Sequence, residues 1–154
     1  MPTITNVGEI TVHVKAENAN YETAEDSYTL KVTQKAVSFT GESDTRTYTE
    51  SEIELTTITP DGLLEGHSET GLSYSAKGTD VGEYDGEFSG TVTIVDAGGN
   101  NVTANYDVTT VPGKLVITKA GTLTVSGVDY EGIYDAEAHG EAATPNVTTG
   151  TTVY

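Results

Sequence analysis

The 154-residue chain has no cysteine and no tryptophan, one methionine, four prolines and two phenylalanines. Without cysteine, disulfides and thiolate chemistry are excluded, and redox compartment places no limit on location. Basic residues are scarce. Seven Lys and Arg stand against 24 Asp and Glu, for a formal net charge of −17. That excess disfavours nucleic acid and anionic membrane as partners. No stretch approaches the roughly 20 apolar residues needed to span a membrane, so no membrane insertion is expected of this segment. Met1-Pro2 leads straight into strand-like sequence with no signal-peptide pattern, so either export signals are expected outside this segment or Met1 is an added start residue. A phosphate loop, a Rossmann glycine pattern and a Cys/His metal spacing are all missing.

What is present points to β-structure. Threonine supplies 28 residues and glycine 17, a composition suited to strands joined by turns. Residues 101–119, NVTANYDVTTVPGKLVITK, show the pattern best. Val102, Tyr106 and Val108 alternate with polar residues, Pro112-Gly113 interrupts, and Leu115 and Ile117 resume. Period-two alternation means a strand with one buried face, and a Pro-Gly pair between two such runs reads as a turn. The stretch is therefore expected to be a terminal β-hairpin. Ile10, Val12 and Val14 alternate in the same way, and Tyr28, Leu30 and Val32 form the next strand after a polar loop at 22–26. Further strands are expected at Val37 and Phe39, 46–49, 53–59, Leu72 to Ala76, and 84–95. The joining turns are Gly41 to Asp44, Pro60-Asp61-Gly62 and the loop Asp96 to Asn100.

The chain repeats itself. Asn20-Tyr21 followed by SYTLKVTQKA matches the run from Asn105-Tyr106 to Lys119-Ala120, and Asp80-Val81-Gly82-Glu83 matches Asn6-Val7-Gly8-Glu9. Each Lys-Ala is followed by a new beginning. Residues 36–119 then form one complete β-sandwich module of seven or eight strands. Residues 1–35 read as the C-terminal half of a preceding module and 120–154 as the N-terminal half of a following one, so the array is cut out of phase. In a module that the chain enters at one end and leaves at the other, the two halves cannot meet within one chain. The expectation is that the C-terminal half of one copy completes the N-terminal half of the next, head to tail. A heterologous contact of that kind propagates as a filament. The plain alternative is that both halves are covalently continued in a longer polypeptide.

The runs VTANYDVTTVPGKLVITKA ending at Ala120, VGEYDGEFSGTVTIVDAGGNNVTANY and DYEGIYDAEAHG resemble the MBG- or YDG-type immunoglobulin-like repeats of bacterial surface proteins. The resemblance covers 36–119 as a whole module and the flanks as halves. It implies an all-β, immunoglobulin-like sandwich in an extracellular stalk, fibre or adhesin on the bacterial surface. It brings no catalytic residues with it, and it does not identify a host ligand.

Candidate chemistry is thin, and no enzyme is expected. His13, His67 and His139 stand in three unrelated contexts. Ser68 beside His67, with Asp61 nearby, has the residue types of a triad but no nucleophile elbow. Calcium takes six to eight oxygens; the candidates for it are Asp96 with Asn100, the cluster Asp80, Glu83 and Asp85, and the cluster Glu22, Glu25 and Asp26. None forms a calcium-loop pattern, and solvated loops are the simpler reading. Asn101-Val102-Thr103 and Asn146-Val147-Thr148 satisfy the glycosylation pattern but also read as plain strand sequence. Surface stalk modules sometimes carry a Lys–Asn isopeptide crosslink, for which Lys35 and Asn105 are the one tempting pair. The nine tyrosines either seal a thin core with the hydroxyl at its edge, as Tyr28, Tyr74 and Tyr106 suggest, or form a carbohydrate-binding face. A structural module is the first expectation, and a module that binds a host glycan or protein is the second.

Overall fold

Threonine-rich alternating segments become strands throughout the computed structural model, which describes residues 1–140 and 143–147. Among the described residues the chain is all-β, with a single 3-10 turn at Thr103–Asn105. It divides into two units, Met1–Thr118 and Lys119–Tyr154.

The first unit opens with a hairpin. β1 (Gly8–Ala16) and β2 (Ala24–Val32) run antiparallel, with Ile10 opposite Leu30 and Val12 opposite Tyr28. The expected loop at 22–26 is shorter than its polarity suggests, because β2 already begins at Ala24. Backbone pairing does not need apolar side chains, and Glu25 and Asp26 extend the ribbon opposite Lys15 and Val14. Of the apolar face, Val12 is buried, while Val14 and Tyr28 are 43% and 39% exposed.

The next strands are β3 (Lys35–Gly41), β4 (Asp44–Thr47), β5 (Ile53–Leu55), β6 (Ile58–Asp61), β7 (Ser68–Gly78), β8 (Gly82–Asp85), β9 (Glu87–Val95), β10 (Tyr106–Val111) and β11 (Lys114–Thr118). They form three sheets, β10-β3-β6, β4-β11-β8 and β5-β7-β9. The expected single strand at 53–59 is two strands that join different sheets. Pro60 lies within β6 rather than in a turn. β6 is an edge strand, where a missing N–H costs no ladder bond.

The hairpin expected at Pro112-Gly113 does not form. β10 and β11 run on in one direction, beside β3 and β4. Tyr106 pairs with Lys35 and Val111 with Thr40; beyond the break Leu115 pairs with Asp44 and Thr118 with Thr47. Every pair in this parallel ribbon is 71 positions apart, so both strands break at one level and lose no register. The turn expected at Gly41 to Asp44 is the other half of the same break. Gly113 is absent from the residues with positive φ, so it is not the left-handed corner of a turn. Its need for glycine is closeness: an added Cβ would stand 2.1 Å from the Glu42 carbonyl oxygen and 2.5 Å from that of Gly41.

The ribbon changes its buried face at the break. Before it, Val37, Phe39 and Tyr106 are buried; after it, Leu115 and Ile117 are. Two apolar clusters result. Val37, Phe39 and Tyr106 pack with Ile94 of β9. Leu115 and Ile117 pack with Leu55 of β5 and with Tyr74 and Ala76 of β7. Ile58 and Phe88 touch both clusters and join them. The alternation read for Leu72, Tyr74 and Ala76 holds, although β7 carries an irregularity at Gly71, where φ is +88°.

In the second unit β12 (Val125–Ser126) pairs with β13 (Thr144–Pro145). Leu123, Val125, Val128, Ile133 and Tyr134 all stand more than half exposed. The β-like run expected up to Tyr154, and Thr148 of the second glycosylation pattern, lie outside the described residues.

Candidate functional site

The chain passes from β2 to β3 through Thr33-Gln34, and a cavity of about 350 Å³ lies at this junction. Asn6, Val7, Lys35, His67, Asp96 and Asn105 are among its walls. The junction therefore gathers residues from four distant parts of the sequence.

Asn105 ends the 3-10 turn, and its amide ties down the start of the chain. Its Oδ1 accepts the Val7 N–H at 2.8 Å, and its Nδ2 donates to Asn6 Oδ1 at 3.0 Å. Gln34 adds a second tie, donating from Nε2 to the Tyr106 carbonyl at 3.0 Å and the Ala104 carbonyl at 3.3 Å. Tyr106 is buried, but its hydroxyl reaches the junction. The hydroxyl accepts the Leu64 N–H at 3.4 Å and shares a 2.7 Å hydrogen bond with His67 Nδ1. The two rings meet edge to face, with centroids 5.8 Å apart. A buried tyrosine with its hydroxyl satisfied at the core edge is the first of the two tyrosine readings. Tyr74 follows it too, whereas Tyr28 stays open to solvent.

Lys35 and Asn105 come together at the cavity wall, Lys35 being the ladder partner of Tyr106. The Asn105 amide is engaged with Asn6 and Val7 rather than offered to a lysine. Asp96 and Asn100 also meet, inside the loop after β9. Asp96 Oδ1 accepts the backbone N–H groups of Gly98 and Asn100, each at 2.9 Å, and Oδ2 accepts Asn100 Nδ2 at 3.0 Å. The Asn100 side-chain amide, then its backbone N–H, then the Gly98 N–H and the field of His67 hold this carboxyl below its ordinary value. The carboxylate thus staples its own loop, and a cation would have to displace those N–H donors.

Asp80, Glu83 and Asp85 lie elsewhere, around β8. Lys114 Nζ pairs with Glu83 at 2.7 Å and with Asp85 at 3.5 Å. Glu83 first, and Asp85 after it, raise the Lys114 pKa. Asp80 contributes its carbonyl to the Tyr84 hydroxyl at 2.9 Å. Glu25, of the third acidic cluster, stands 4.0 Å from Lys15. Among the described residues no three His, Asp or Glu side chains converge on one point.

The triad residues do not assemble around His67 Nδ1, whose partner is Tyr106, and Asp61 sits opposite Ser38 in β6. Asn101 Oδ1 accepts the Thr103 N–H at 3.0 Å. In the second unit His139 Nε2 pairs with Asp135 at 2.7 Å and stacks on Tyr130 with centroids 4.7 Å apart. Sequence reading passed over Gln34 and the His67–Tyr106 bond. The bonded residues lie 72 and 39 positions apart, beyond the reach of any spacing rule; the only available signal was the repeated Asn-Tyr pair.

In comparisons with known proteins, no family model, curated protein or solved structure matches the chain.

Proposed function

We propose that this chain is a structural repeat unit, an immunoglobulin-like β-sandwich segment of an extracellular bacterial fibre or adhesin stalk. The MBG/YDG-like motifs support the family reading, and the three short sheets around a shared core are compatible with a sandwich. One observation carries the assembly reading. The middle strands seal their own clusters, with Phe39, Ile94, Leu115 and Ile117 less than 2% exposed, while strand-like apolar residues on both flanks stay open. Val14 and Tyr28 of the β1–β2 ribbon and Leu123, Val125 and Val128 of the second unit are the exposed members. A two-stranded ribbon is marginal alone and gains stability from an added apolar face. The occupant that fits is the complementary flank of a second copy, which makes the assembly head to tail.

Net charge opposes close approach of copies at long range. Salt shortens that repulsion to about 8 Å at physiological ionic strength, so assembly is expected to strengthen with salt. Light scattering across a concentration series, followed by electron microscopy, tests this reading. Long, thin, unbranched fibres with a module-sized repeat support it. A strict monomer at high concentration and physiological salt ends the complementation reading and leaves the stalk role to covalently continuous modules.

The second reading is a module that recognises a host glycan or protein. Tyr134 is 90% exposed and Ile133 92%, beside the stacked Tyr130–His139 pair. Exposed aromatic surface of this kind suits a sugar ring or a protein hot spot. Binding to a glycan array that disappears in Tyr134→Ala favours it.

A further inference from the structure

The ribbon formed by residues 35–47 and 106–118 bounds the middle of the chain at both ends. The chain enters at Lys35, at one end of the ribbon, and leaves at Thr118, at the other, because the two strands are parallel. Tension along the chain therefore pulls the two strands past each other. In that geometry the ladder bonds share the load and must fail together. In an antiparallel hairpin such as β1–β2, the two ends lie side by side at Gly8 and Val32. Tension there peels one pair at a time.

We propose that this ribbon is a mechanical clamp, which gives the region from Lys35 to Thr118 resistance to force along the chain. Six register pairs lie before the break and four after it. Further bonds cross the ribbon at three levels, its two ends and the break. At the entry end Gln34 Nε2 donates to the Tyr106 carbonyl at 3.0 Å. At the break the Lys114 N–H donates to Ser43 Oγ at 3.0 Å. At the exit end Thr118 Oγ1 donates to the Arg46 carbonyl at 3.2 Å, and the Tyr48 N–H donates to the Thr118 carbonyl at 2.8 Å. The break itself is wedged on the core side by Tyr74, whose hydroxyl holds the Glu42 carbonyl at 2.8 Å. Before the break β3 is flanked on its far side by antiparallel β6, and after it β11 is flanked by antiparallel β8. The shear geometry of the ladder and these braces set the resistance to forced unfolding, which is an unfolding-rate property rather than an equilibrium one. The clamp belongs to the fold and holds whether or not the chain serves in a stalk.

Single-molecule pulling on the full chain tests it. The chain has no cysteine, so paired cysteines give unique handles at exposed positions. Thr33→Cys with Lys119→Cys loads the ribbon in shear. Thr47→Cys with Lys119→Cys pulls on its two adjacent ends and peels it. The expected result is one sharp rupture in shear at several-fold higher force than in the peeling geometry. The roughly 84 residues released, at about 3.6 Å each when extended, less the roughly 40 Å span of the folded ribbon, lengthen the chain by about 260 Å. Equal rupture forces in the two geometries, or a shear rupture in several low-force steps, overturn the clamp. Because both handle pairs act on the same fold, thermal melts of the two variants that agree with the parent chain exclude a folding defect as the cause of either result.

Discussion

The Tyr74 hydroxyl donates a 2.8 Å hydrogen bond to the Glu42 carbonyl, at the level where both strands of the parallel ribbon break. Tyr74 is 4% exposed, and its ring lies where Gly41 and Gly86 leave no side chain. An added Cβ would come within 2.2 Å of the ring at Gly41 and 2.1 Å of the hydroxyl at Gly86. One side chain thus fills the gap that the broken ladder opens.

Tyr74→Phe removes the bond and keeps the ring. It is expected to cost about 1 kcal/mol at neutral pH, the net worth of a typical internal hydrogen bond. Burial raises the Tyr74 pKa above its ordinary 10.0, with the Glu42 charge adding to the effect and the Gly113 backbone opposing it. With the folded value raised, the tyrosine's contribution is whole below the ordinary value and is lost as pH rises through the folded one. Urea midpoints on either side of that value check this: the parent chain should lose more stability across the window than the Phe variant. Parallel losses would contradict it.

Gly113→Ala should destabilise by about 1–3 kcal/mol, the usual range for overpacking. The obstacle is backbone, the Glu42 and Gly41 carbonyl oxygens, and backbone cannot swing aside as a flexible side chain does. Gly127→Ala has open space around it and serves as the neutral control in the same denaturation series.

Asn105→Ala strips the Val7 N–H and the Asn6 side chain of their partner. About 1–2 kcal/mol of docking is expected to go, and the loss should be local. Hydrogen exchange should quicken through β1 and β2 while amides around Leu115 and Ile117 keep their protection. Equal acceleration in both places would mean that Asn105 supports the whole unit.

Asp96→Ala should loosen the loop between Val95 and Asn101. The lowered carboxyl pKa sets the sign: its contribution is present above the ordinary carboxylate value of 3.8 and is lost as pH falls through the folded value. The difference in melting temperature between parent and variant is therefore expected at neutral pH and should vanish in acid. A difference that persists in acid would assign the effect to packing instead.

Local pattern alone determined a good part of this protein. Alternation at Val37 and Phe39, Leu72 to Ala76, and Leu115 and Ile117 marked residues that are buried or packed against the core. The loop Asp96 to Asn100 was legible for the same reason, as was the recurrence of Val-Gly-Glu at 7–9 and 81–83, although the strands that begin at Gly8 and Gly82 start earlier than the alternation indicates. Such features depend on contacts within a few residues, where turn propensity and side-chain period act directly. Even the calcium candidates Asp96 and Asn100 met because four positions separate them.

Only the tertiary structure decided where the strands go. Pro112-Gly113 has one local signature whether the chain reverses or runs on, and the choice was made by a partner strand 71 positions away. The repeated Asn-Tyr pair shows the same limit. Tyr106 is 4% exposed and bonded to His67, while Tyr21, in the same motif, is 79% exposed. What separates them is a second layer of side chains in front of one ring and solvent in front of the other. Burial by distant residues is a property of the packed chain and leaves no trace in a local motif.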